Sequence, residues 1–127
     1  MHRASSPVLA LLPLLALAGA AHAQDAAAEG EQLYRTRCAA CHALDPGQNR
    51  IGPHLAGVVG RAAGSVEGAR YTDAMRASGI VWDSETLDAY LANPRQQVPG
   101  TSMMFALPDA TQRQAIIAFL QDRSTTE

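Results

Sequence analysis

Two cysteines and a histidine lie close together in the segment Cys38-Ala39-Ala40-Cys41-His42. In a helical turn, residues three positions apart share a face, so both thiols could reach one edge of a flat macrocycle. The imidazole that follows could then bind a metal ion at the centre of that ring. The pattern C-x-x-C-H is typical of covalent attachment of a c-type haem. It predicts Cys38 and Cys41 as the thioether-forming residues and His42 as one axial ligand of the iron.

Three other kinds of cysteine site share part of this pattern. A thiol–disulfide redox pair also uses C-x-x-C, but that motif belongs in a βαβ context. A zinc site would need a second pair of cysteines, and the chain has two cysteines in total. A structural disulfide between Cys38 and Cys41 is the third alternative. The histidine directly after the second cysteine favours haem attachment over all three.

The N-terminal residues have the features of a secretory signal peptide. His2 and Arg3 form a short basic segment, and an apolar run of 14 residues follows from Val8 to Ala21. Ala21-His22-Ala23 then has the form of a cleavage site, after which the chain becomes polar. The apolar run is short for a membrane span, and an uncleaved N-terminal anchor is the alternative.

Cleavage after Ala23 would divide the chain into a signal peptide, residues 1–23, and a mature part, residues 24–127. The length of the mature part predicts a single domain, with its core over residues 30–120. No later segment is apolar enough to cross a membrane, so we predict that the mature chain is not inserted in one. Export would place it in the periplasm, where free thiols rarely persist.

The charged residues exclude one class of partner. The chain has 10 basic side chains, all arginine, against 12 acidic ones, and removal of Arg3 with the signal peptide changes the net charge from −2 to −3. No basic stripe is present that could follow a nucleic-acid backbone. We therefore predict a mildly acidic surface and no nucleic-acid partner.

The elements that must position the motif are predicted to be helices. Acidic residues open the first helical segment and arginines close it, as the helix dipole prefers. A glycine ends the second segment, a proline ends the third, and Asp109 with Gln112 resembles a capping box at the start of the fourth. Residues 24–28 are predicted to be a frayed lead-in. The helical segments begin and end at residues 29–38, 71 or 72 to 79, 83 or 84 to 93, and 109 to about 122.

Two long segments between these helices are predicted to be loops. Residues 45–68 are rich in glycine and proline and show no long periodicity, and residues 95–108 form the second loop. A loop of about 25 residues is unusual inside a small domain, and packing against a haem would explain it. The predicted fold class is therefore all-α, with short helices and long loops wrapped around one covalent haem.

A second axial ligand would decide what such a haem can do. Methionine often takes this position in small electron-transfer proteins. The mature chain offers Met75, Met103 and Met104. Met75 lies in a predicted amphipathic helix, where methionine is more often a core residue. Met103 and Met104 both lie on the second loop, and sequence physics alone does not separate them.

Residues 30–120 resemble the class I c-type cytochromes, close to mitochondrial cytochrome c and its bacterial photosynthetic relatives. The resemblance implies the small cytochrome c fold, in which the terminal helices cross where Gly30 and Tyr34 meet Ile116 and Phe119. The alternative for Gly30 is a frayed first helical turn. Beside the cysteine motif, the matching segments are Ile51-Gly52-Pro53-His54-Leu55-Ala56-Gly57, Gly60-Arg61, Tyr71-Thr72-Asp73-Ala74, Gly79-Ile80-Val81-Trp82, Tyr90-Leu91-Ala92-Asn93-Pro94 and Pro99-Gly100-Thr101-Ser102-Met103.

The same resemblance implies roles for residues outside the motif. Met103 would be the distal iron ligand, and the Pro53 carbonyl would accept the ring N–H of His42, which fixes the tautomer. Tyr90 would direct its hydroxyl toward the Met103 sulfur. Buried propionates need hydrogen-bond donors. The residues expected around them are Arg61, Tyr71, Thr72, Trp82 and Thr101.

Five of these residues also have a simpler interpretation. The aromatic residues Trp82 and Tyr90 could be ordinary core residues. Arg61 could be a surface charge, and Tyr71 with Thr72 could simply begin a helix. His54 matches no ligand position and is predicted to be a surface imidazole.

The sequence also departs from the mitochondrial members of the family. Those members surround the exposed haem edge with lysines, whereas here only Arg37 and Arg95 fall on two of these positions. This departure argues against docking to a strongly acidic oxidase face. Met75 replaces a polar asparagine beside the haem, which makes that side more apolar.

The resemblance implies a periplasmic one-electron carrier rather than an enzyme. A monomer with His/Met-ligated iron would dock transiently on redox partners such as an oxidase, a reductase or a dehydrogenase. A haem peroxidase or small-gas sensor is the enzymatic alternative, and it would require a labile Met103. A subunit docked permanently in an oxidase complex is the other alternative.

Overall fold

A computed structural model describes Met1 and residues 16–126 of the chain. The prediction of an all-α fold is confirmed, since the described residues contain five helices and no strand beyond one isolated bridge, Ala62 with Val81. Residues 2–15, most of the predicted signal peptide, lie outside the described part. Within that part, no helix has the length and apolar character needed to span a membrane. The helices are α1 (Ala16–Arg37), α2 (Asp73–Arg76), α3 (Ser84–Ala92), α4 (Pro94–Gln97) and α5 (Ala110–Thr126).

Helix α1 begins much earlier than predicted. Residues 24–28 are helical rather than a frayed lead-in, so that prediction was wrong. The reason is composition: the segment is dominated by alanine, the best helix former, and the single Asp25 does not outweigh it. Arg35 and Arg37 lie in the last turn, where their charges complement the helix dipole as expected.

Side-chain caps explain where three helices begin. The Thr72 hydroxyl accepts a hydrogen bond from the Met75 amide at 3.2 Å and caps α2. Asp83 and Thr86 form a reciprocal capping box at α3, with the Thr86 amide donating to Asp83 Oδ1 at 2.8 Å. Asp109 Oδ1 accepts from the Gln112 amide at 2.9 Å before α5. These caps satisfy main-chain donors that have no partner inside a helix.

A short helix lies where the sequence predicted only loop. Pro94 ends α3, as predicted, but it also occupies the first position of α4. A proline is well suited to this position, because its missing N–H would have no helical partner there. Asn93 supports the start of α4 by accepting from the Gln96 amide at 3.2 Å.

Helices α1 and α5 cross at Gly30. A Cβ atom built on Gly30 would overlap the main-chain carbonyl of Ala115 and would lie 2.8 Å from the Phe119 Cβ. Four residues along α1, the Tyr34 ring packs against Phe119 with ring centroids 5.9 Å apart. Ile116 is the most deeply buried large side chain of the core, at 2% exposure. The crossing interpretation of Gly30 is therefore confirmed, and the frayed-turn alternative is wrong.

The first loop is tied to the segment that precedes α3. The Gly60 amide donates to the Trp82 carbonyl at 2.7 Å, and the Trp82 amide donates to the Arg61 carbonyl at 2.9 Å. The Ala63 amide adds a third bond to the Ile80 carbonyl at 2.8 Å. These bonds supply partners to main-chain groups that would otherwise be buried unpaired. They also hold Arg61 and Trp82 side by side.

Replacement of Gly30 with valine should strongly destabilise the protein. The branched side chain would force α1 away from the Ala115 carbonyl, at a cost of about 1–3 kcal/mol in the free energy of unfolding. Denaturant unfolding of the holoprotein measures this loss. Glu29→Ala, at the exposed neighbour in the same helix, is the control and should change the value by less than about 0.5 kcal/mol. Equal effects of both variants would contradict the close crossing.

Candidate functional site

The cysteine motif forms a closed turn directly after α1. The Cys38 carbonyl accepts hydrogen bonds from both the Cys41 amide, at 3.1 Å, and the His42 amide, at 3.0 Å. The Tyr34 carbonyl accepts from the Cys38 and Ala39 amides at 2.8 and 3.0 Å, so the turn continues directly from the helix. This bonding keeps the two cysteines within one helical turn, as their spacing predicted. Both thiols are half-buried and are not joined as a disulfide.

The electrostatic setting of Cys38 is unlike that of a redox-active thiol. Burial, with a smaller contribution from Cys41, raises the pKa of Cys38 to about 11. A thiol–disulfide exchange site instead lowers the pKa of its nucleophilic cysteine, because the thiolate is the reactive form. The zinc alternative also lacks support, because the described residues contain no group of three or more His, Cys, Asp or Glu side chains arranged around a common point.

His42 is held in one orientation by the first loop. Its Nδ1 lies 2.8 Å from the Pro53 carbonyl oxygen, which is the contact that the resemblance implied. Because a carbonyl can only accept, Nδ1 carries the proton and Nε2 keeps the lone pair that a metal ion needs. The Tyr34 hydroxyl donates to the main-chain carbonyl of His42 at 2.7 Å and fixes the residue from the other side.

Two features keep the His42 ring in place and uncharged. A Cβ built on Gly52 would lie 2.8 Å from His42 Nδ1 and would overlap the ring, so only glycine fits against it. Burial lowers the pKa of His42, helped by the positive charge of Arg61 and opposed by the bond to Pro53. The neutral imidazole that results is the form that binds metal ions.

The loop around His42 is anchored on the cysteine motif itself. The Gly52 amide donates to the Cys41 carbonyl at 2.8 Å, and the Leu55 amide donates to the Ala43 carbonyl at 2.8 Å. The Arg50 guanidinium adds a bond to the Ala39 carbonyl, also at 2.8 Å. The motif and the loop that orients its histidine therefore form one hydrogen-bonded unit.

The three candidate methionines occupy different environments. Met75 is 8% exposed and belongs to the core, as its helical position predicted. Met104 is 67% exposed, and its sulfur lies 3.2 Å from Arg95 Nη2. Met103 is half-buried and packs against the core from the second loop. Of the three, Met103 alone is on a loop and directed toward the interior.

A hydroxyl pair connects α3 with the loop that carries Met103. The Tyr90 hydroxyl lies 2.7 Å from Thr101 Oγ1, and the Met103 amide donates to the same Thr101 oxygen at 3.4 Å. The Tyr90 hydroxyl is thus hydrogen-bonded to Thr101, two residues before Met103, whereas the resemblance implied the methionine sulfur. Tyr90 is also packed against Trp82, with ring centroids 5.1 Å apart, and both rings are buried.

Arg61 is a half-buried cation that donates to two main-chain carbonyls. Its Nη1 donates to the Ala56 carbonyl at 2.8 Å, and its Nη2 donates to the His54 carbonyl at 3.0 Å. Its Nε is buried and has no hydrogen-bond partner within the described part of the chain. A buried unpaired donor costs about 1–3 kcal/mol, so an additional acceptor at this point would stabilise the protein. An anionic oxygen of a bound group is well suited to it.

Tyr71 and Thr72 make local contacts. The Tyr71 hydroxyl accepts a hydrogen bond from the Val66 amide at 3.2 Å. Thr72 caps α2, which is the simpler interpretation that the sequence left open for it. His54 was predicted to be a surface imidazole, but it is half-buried, and its amide donates to Asn49 Oδ1 at 3.1 Å.

These residues fit a covalently attached haem. The half-buried thiols and the neutral imidazole are at the end of α1, and the unpaired Arg61 donor suits a propionate. Several apolar side chains of the loops pack against the core yet remain partly exposed, as expected where an apolar macrocycle would cover them. These side chains are Leu44, Leu55, Val59, Ile80, Met103 and Phe105.

Sequence reasoning missed several contacts that hold the site. Tyr34 was assigned only to the helix crossing, yet its hydroxyl also holds His42. Gly52 was part of a segment that matches the family, but no physical reason for a glycine there was evident from the sequence. The structure supplies the reason, because any side chain at this position would overlap the His42 ring. A glycine directly before Pro53, whose carbonyl was expected to accept from His42, was the available signal for close approach. The contact between Tyr34 and His42 had no signal, because it depends on how the turn after α1 closes.

Comparison with known proteins gives consistent matches over nearly the whole mature chain. The family model described as cytochrome c matches residues 27–124. A cytochrome c of Stellaria longipes is 51% identical over 98 residues, covering 76% of this chain and 91% of that protein. A cytochrome c-type cyt cy of Rhodobacter capsulatus is 48% identical over 92 residues, covering 72% and 46%. A cytochrome c2 of Blastochloris viridis is 40% identical over 116 residues, covering 90% of each.

Replacement of Gly52 with alanine should disturb the histidine without removing any ligand. The added methyl group would overlap the His42 ring and push it off the Pro53 carbonyl. We expect a changed ferric absorption spectrum and a loss of about 1–3 kcal/mol in the free energy of unfolding of the holoprotein. Ile51→Ala is the matched control, because Ile51 is 77% exposed. An unchanged spectrum in Gly52→Ala would contradict the conclusion that only glycine fits against the His42 ring.

Proposed function

This chain belongs to the cytochrome c family as a class I member that carries covalent haem c, and we propose that it is a periplasmic one-electron carrier with His/Met-ligated iron. Electron transfer with haem c is the general activity of the family. The proposal adds the ligand pair, the compartment and the absence of an enzymatic reaction. The observation that carries it is the half-buried position of Met103 on a loop that Thr101 and Tyr90 bond to α3.

The proposed roles of the site residues follow their positions. The haem would supply an iron that gains and loses one electron. Cys38 and Cys41 would hold the macrocycle through thioether bonds, while His42 and Met103 would be the protein ligands of the iron. Pro53 would keep the His42 ring in the ligating tautomer. The proposed surroundings of the propionates are Arg61, Tyr71, Thr72, Trp82 and Thr101, with Tyr90 supporting Thr101.

A carrier rather than an enzyme is supported by the environment of Met103. A sixth ligand from the protein leaves the iron without an open position for a substrate or a small gas. Such a site also changes geometry little between oxidation states, which favours rapid electron exchange. Thr101 and the core contacts of Met103 act against dissociation of this ligand. The peroxidase and gas-sensor alternatives would need that ligand to leave.

The proposed redox partners would bind transiently to a small exposed surface. Ile51 and Met104 are large apolar residues that are 77% and 67% exposed. In the sequence, Ile51 follows the motif that contains His42, and Met104 directly follows Met103. Arg95, beside the Met104 sulfur, and the exposed Arg37 add positive charge. Exposed apolar and positively charged side chains of this kind suit short-lived docking of a monomer on an oxidase, a reductase or a dehydrogenase. The absence of lysine would weaken long-range attraction to a strongly acidic partner.

A periplasmic location is supported by the N-terminal sequence. The basic start, the apolar run and the Ala21-His22-Ala23 site together have the form of a secretory signal. The match to the cytochrome c2 of Blastochloris viridis spans 116 residues, which is more than the 104 residues of the proposed mature part. That relative is therefore also similar to part of the proposed signal segment.

The ligand assignment can be tested with two adjacent methionines. Met103→Ala should abolish the near-red sulfur–iron absorption band of the ferric protein, because it removes the proposed distal ligand. Met104→Ala is the matched control and should keep the band, since Met104 is exposed. Optical spectra of both purified ferric proteins measure the difference.

Two outcomes would contradict this part of the proposal. Loss of the band in Met104→Ala alone would move the ligand by one residue. A high-spin ferric spectrum of the wild-type protein would indicate an open iron position and would favour the peroxidase or gas-sensor alternative.

The proposed export can be tested on the mature protein. Expression of the full chain in a bacterium that attaches haem c should give a periplasmic product that begins at Gln24 and carries the mass of one haem. Ala23→Phe is the control, because a bulky residue at this point should block cleavage. N-terminal sequencing and intact mass of the fractionated protein measure the result. A membrane-bound wild-type product that retains residues 1–23 would support the uncleaved anchor.

A further inference from the structure

A buried arginine connects the start of α5 with α3 and with the end of the second loop. Arg113 is 9% exposed, and its Nε donates to Asp88 Oδ1 at 2.8 Å. Its Nη1 donates to two consecutive main-chain carbonyls, Leu107 at 3.0 Å and Pro108 at 2.7 Å. None of these contacts involves a residue assigned to the haem site. They therefore need an explanation of their own.

The carbonyls bound by Arg113 belong to the loop that carries Met103. We call residues 98–109 the methionine loop. Its first half is held on α3 through Thr101 and Tyr90, whose oxygens lie 2.7 Å apart. Its second half is held by Arg113 and by the Leu107 amide, which donates to the Leu91 carbonyl at 2.8 Å. Met103 thus lies between one attachment to α3 and a second attachment to both α3 and α5.

The ion pair determines how firmly the second attachment holds. A guanidinium this buried is stable only when its charge and its donors have partners. The Arg113 side chain is 11% exposed and that of Asp88 is 44% exposed, so Asp88 balances the charge from the edge of the core. With its charge balanced, Arg113 can direct both Nη1 hydrogens at the loop carbonyls. Charge-assisted bonds of this kind are stronger than those between neutral groups.

We propose that Arg113, balanced by Asp88, is a positioning residue that keeps Met103 in place by fixing the end of the methionine loop. The inference rests on the proposed ligation of iron by Met103 and adds a residue that acts on this ligand from a distance. Loss of the bonds from Arg113 to the Leu107 and Pro108 carbonyls would let the methionine loop open more often, with the remaining fold intact. The iron would then become accessible to an external ligand.

Imidazole binding to the ferric holoprotein tests this role. The variants are Arg113→Lys, which keeps the charge but loses the paired donors, and Asp88→Ala, which removes the balancing carboxylate. We expect each to bind imidazole about tenfold faster than the wild type, a factor that corresponds to the loss of one hydrogen bond to a charged group. Without imidazole, each should retain the sulfur–iron band, because Met103 is still present.

A control variant separates positioning from general stability. Thr86→Ala breaks the capping box of α3 but does not touch the methionine loop. Rates are compared at urea concentrations where the three variants have equal free energies of unfolding. Faster binding in Arg113→Lys and Asp88→Ala than in Thr86→Ala supports the proposal, whereas equal rates would overturn it. A wild-type protein without the sulfur–iron band would instead refute ligation by Met103, and this inference with it.

Discussion

Helices α1 and α5 approach each other so closely at Gly30 that their backbones touch, and this contact sets the position of the end of α1 relative to the start of α5. The cysteine motif follows directly on the C-terminal end of α1, and the methionine loop leads into the N-terminal end of α5. The crossing therefore sets the positions of two segments that lie about 60 residues apart in the sequence. A side chain at residue 30 would shift one of them relative to the other.

Long loops in so small a domain need hydrogen-bond partners for their main-chain groups, and here residues in and around the candidate site supply many of these partners. The first loop returns to the cysteine motif through Gly52 and Leu55, and to the segment before α3 through Gly60. The methionine loop returns to α3 through Leu107. The residues that orient His42 and Met103 are therefore part of the bonding that gives the loops their structure.

Local signals allowed most of the fold to be predicted from the sequence, and long-range contacts account for what was missed. Asp83 and Asp109 marked helix starts, because a cap acts within four residues of itself. The N-terminal extension of α1 was missed because the segment around the presumed cleavage site was interpreted only as a processing signal. The short α4 was missed because Pro94 was interpreted only as the end of α3, although a proline can also begin a helix. The family resemblance implied the contact of His42 with Pro53. The partners of Tyr34, Tyr90 and Arg113 were not foreseen, because each depends on how separate elements pack.

The two sides of the proposed iron site are held by different kinds of contact. His42 is bonded to a main-chain carbonyl and confined by the neighbouring Gly52, within a unit that includes its own motif. Met103 depends on side chains of α3 and α5, through Thr101 on one side and Arg113 on the other. Segments with few buried contacts open locally at a lower free energy than the core does, and the half-buried Met103 lies on a loop held at two points. The distal side is therefore where a few substitutions could convert a carrier into a protein with accessible iron, without altering the motif that attaches the haem.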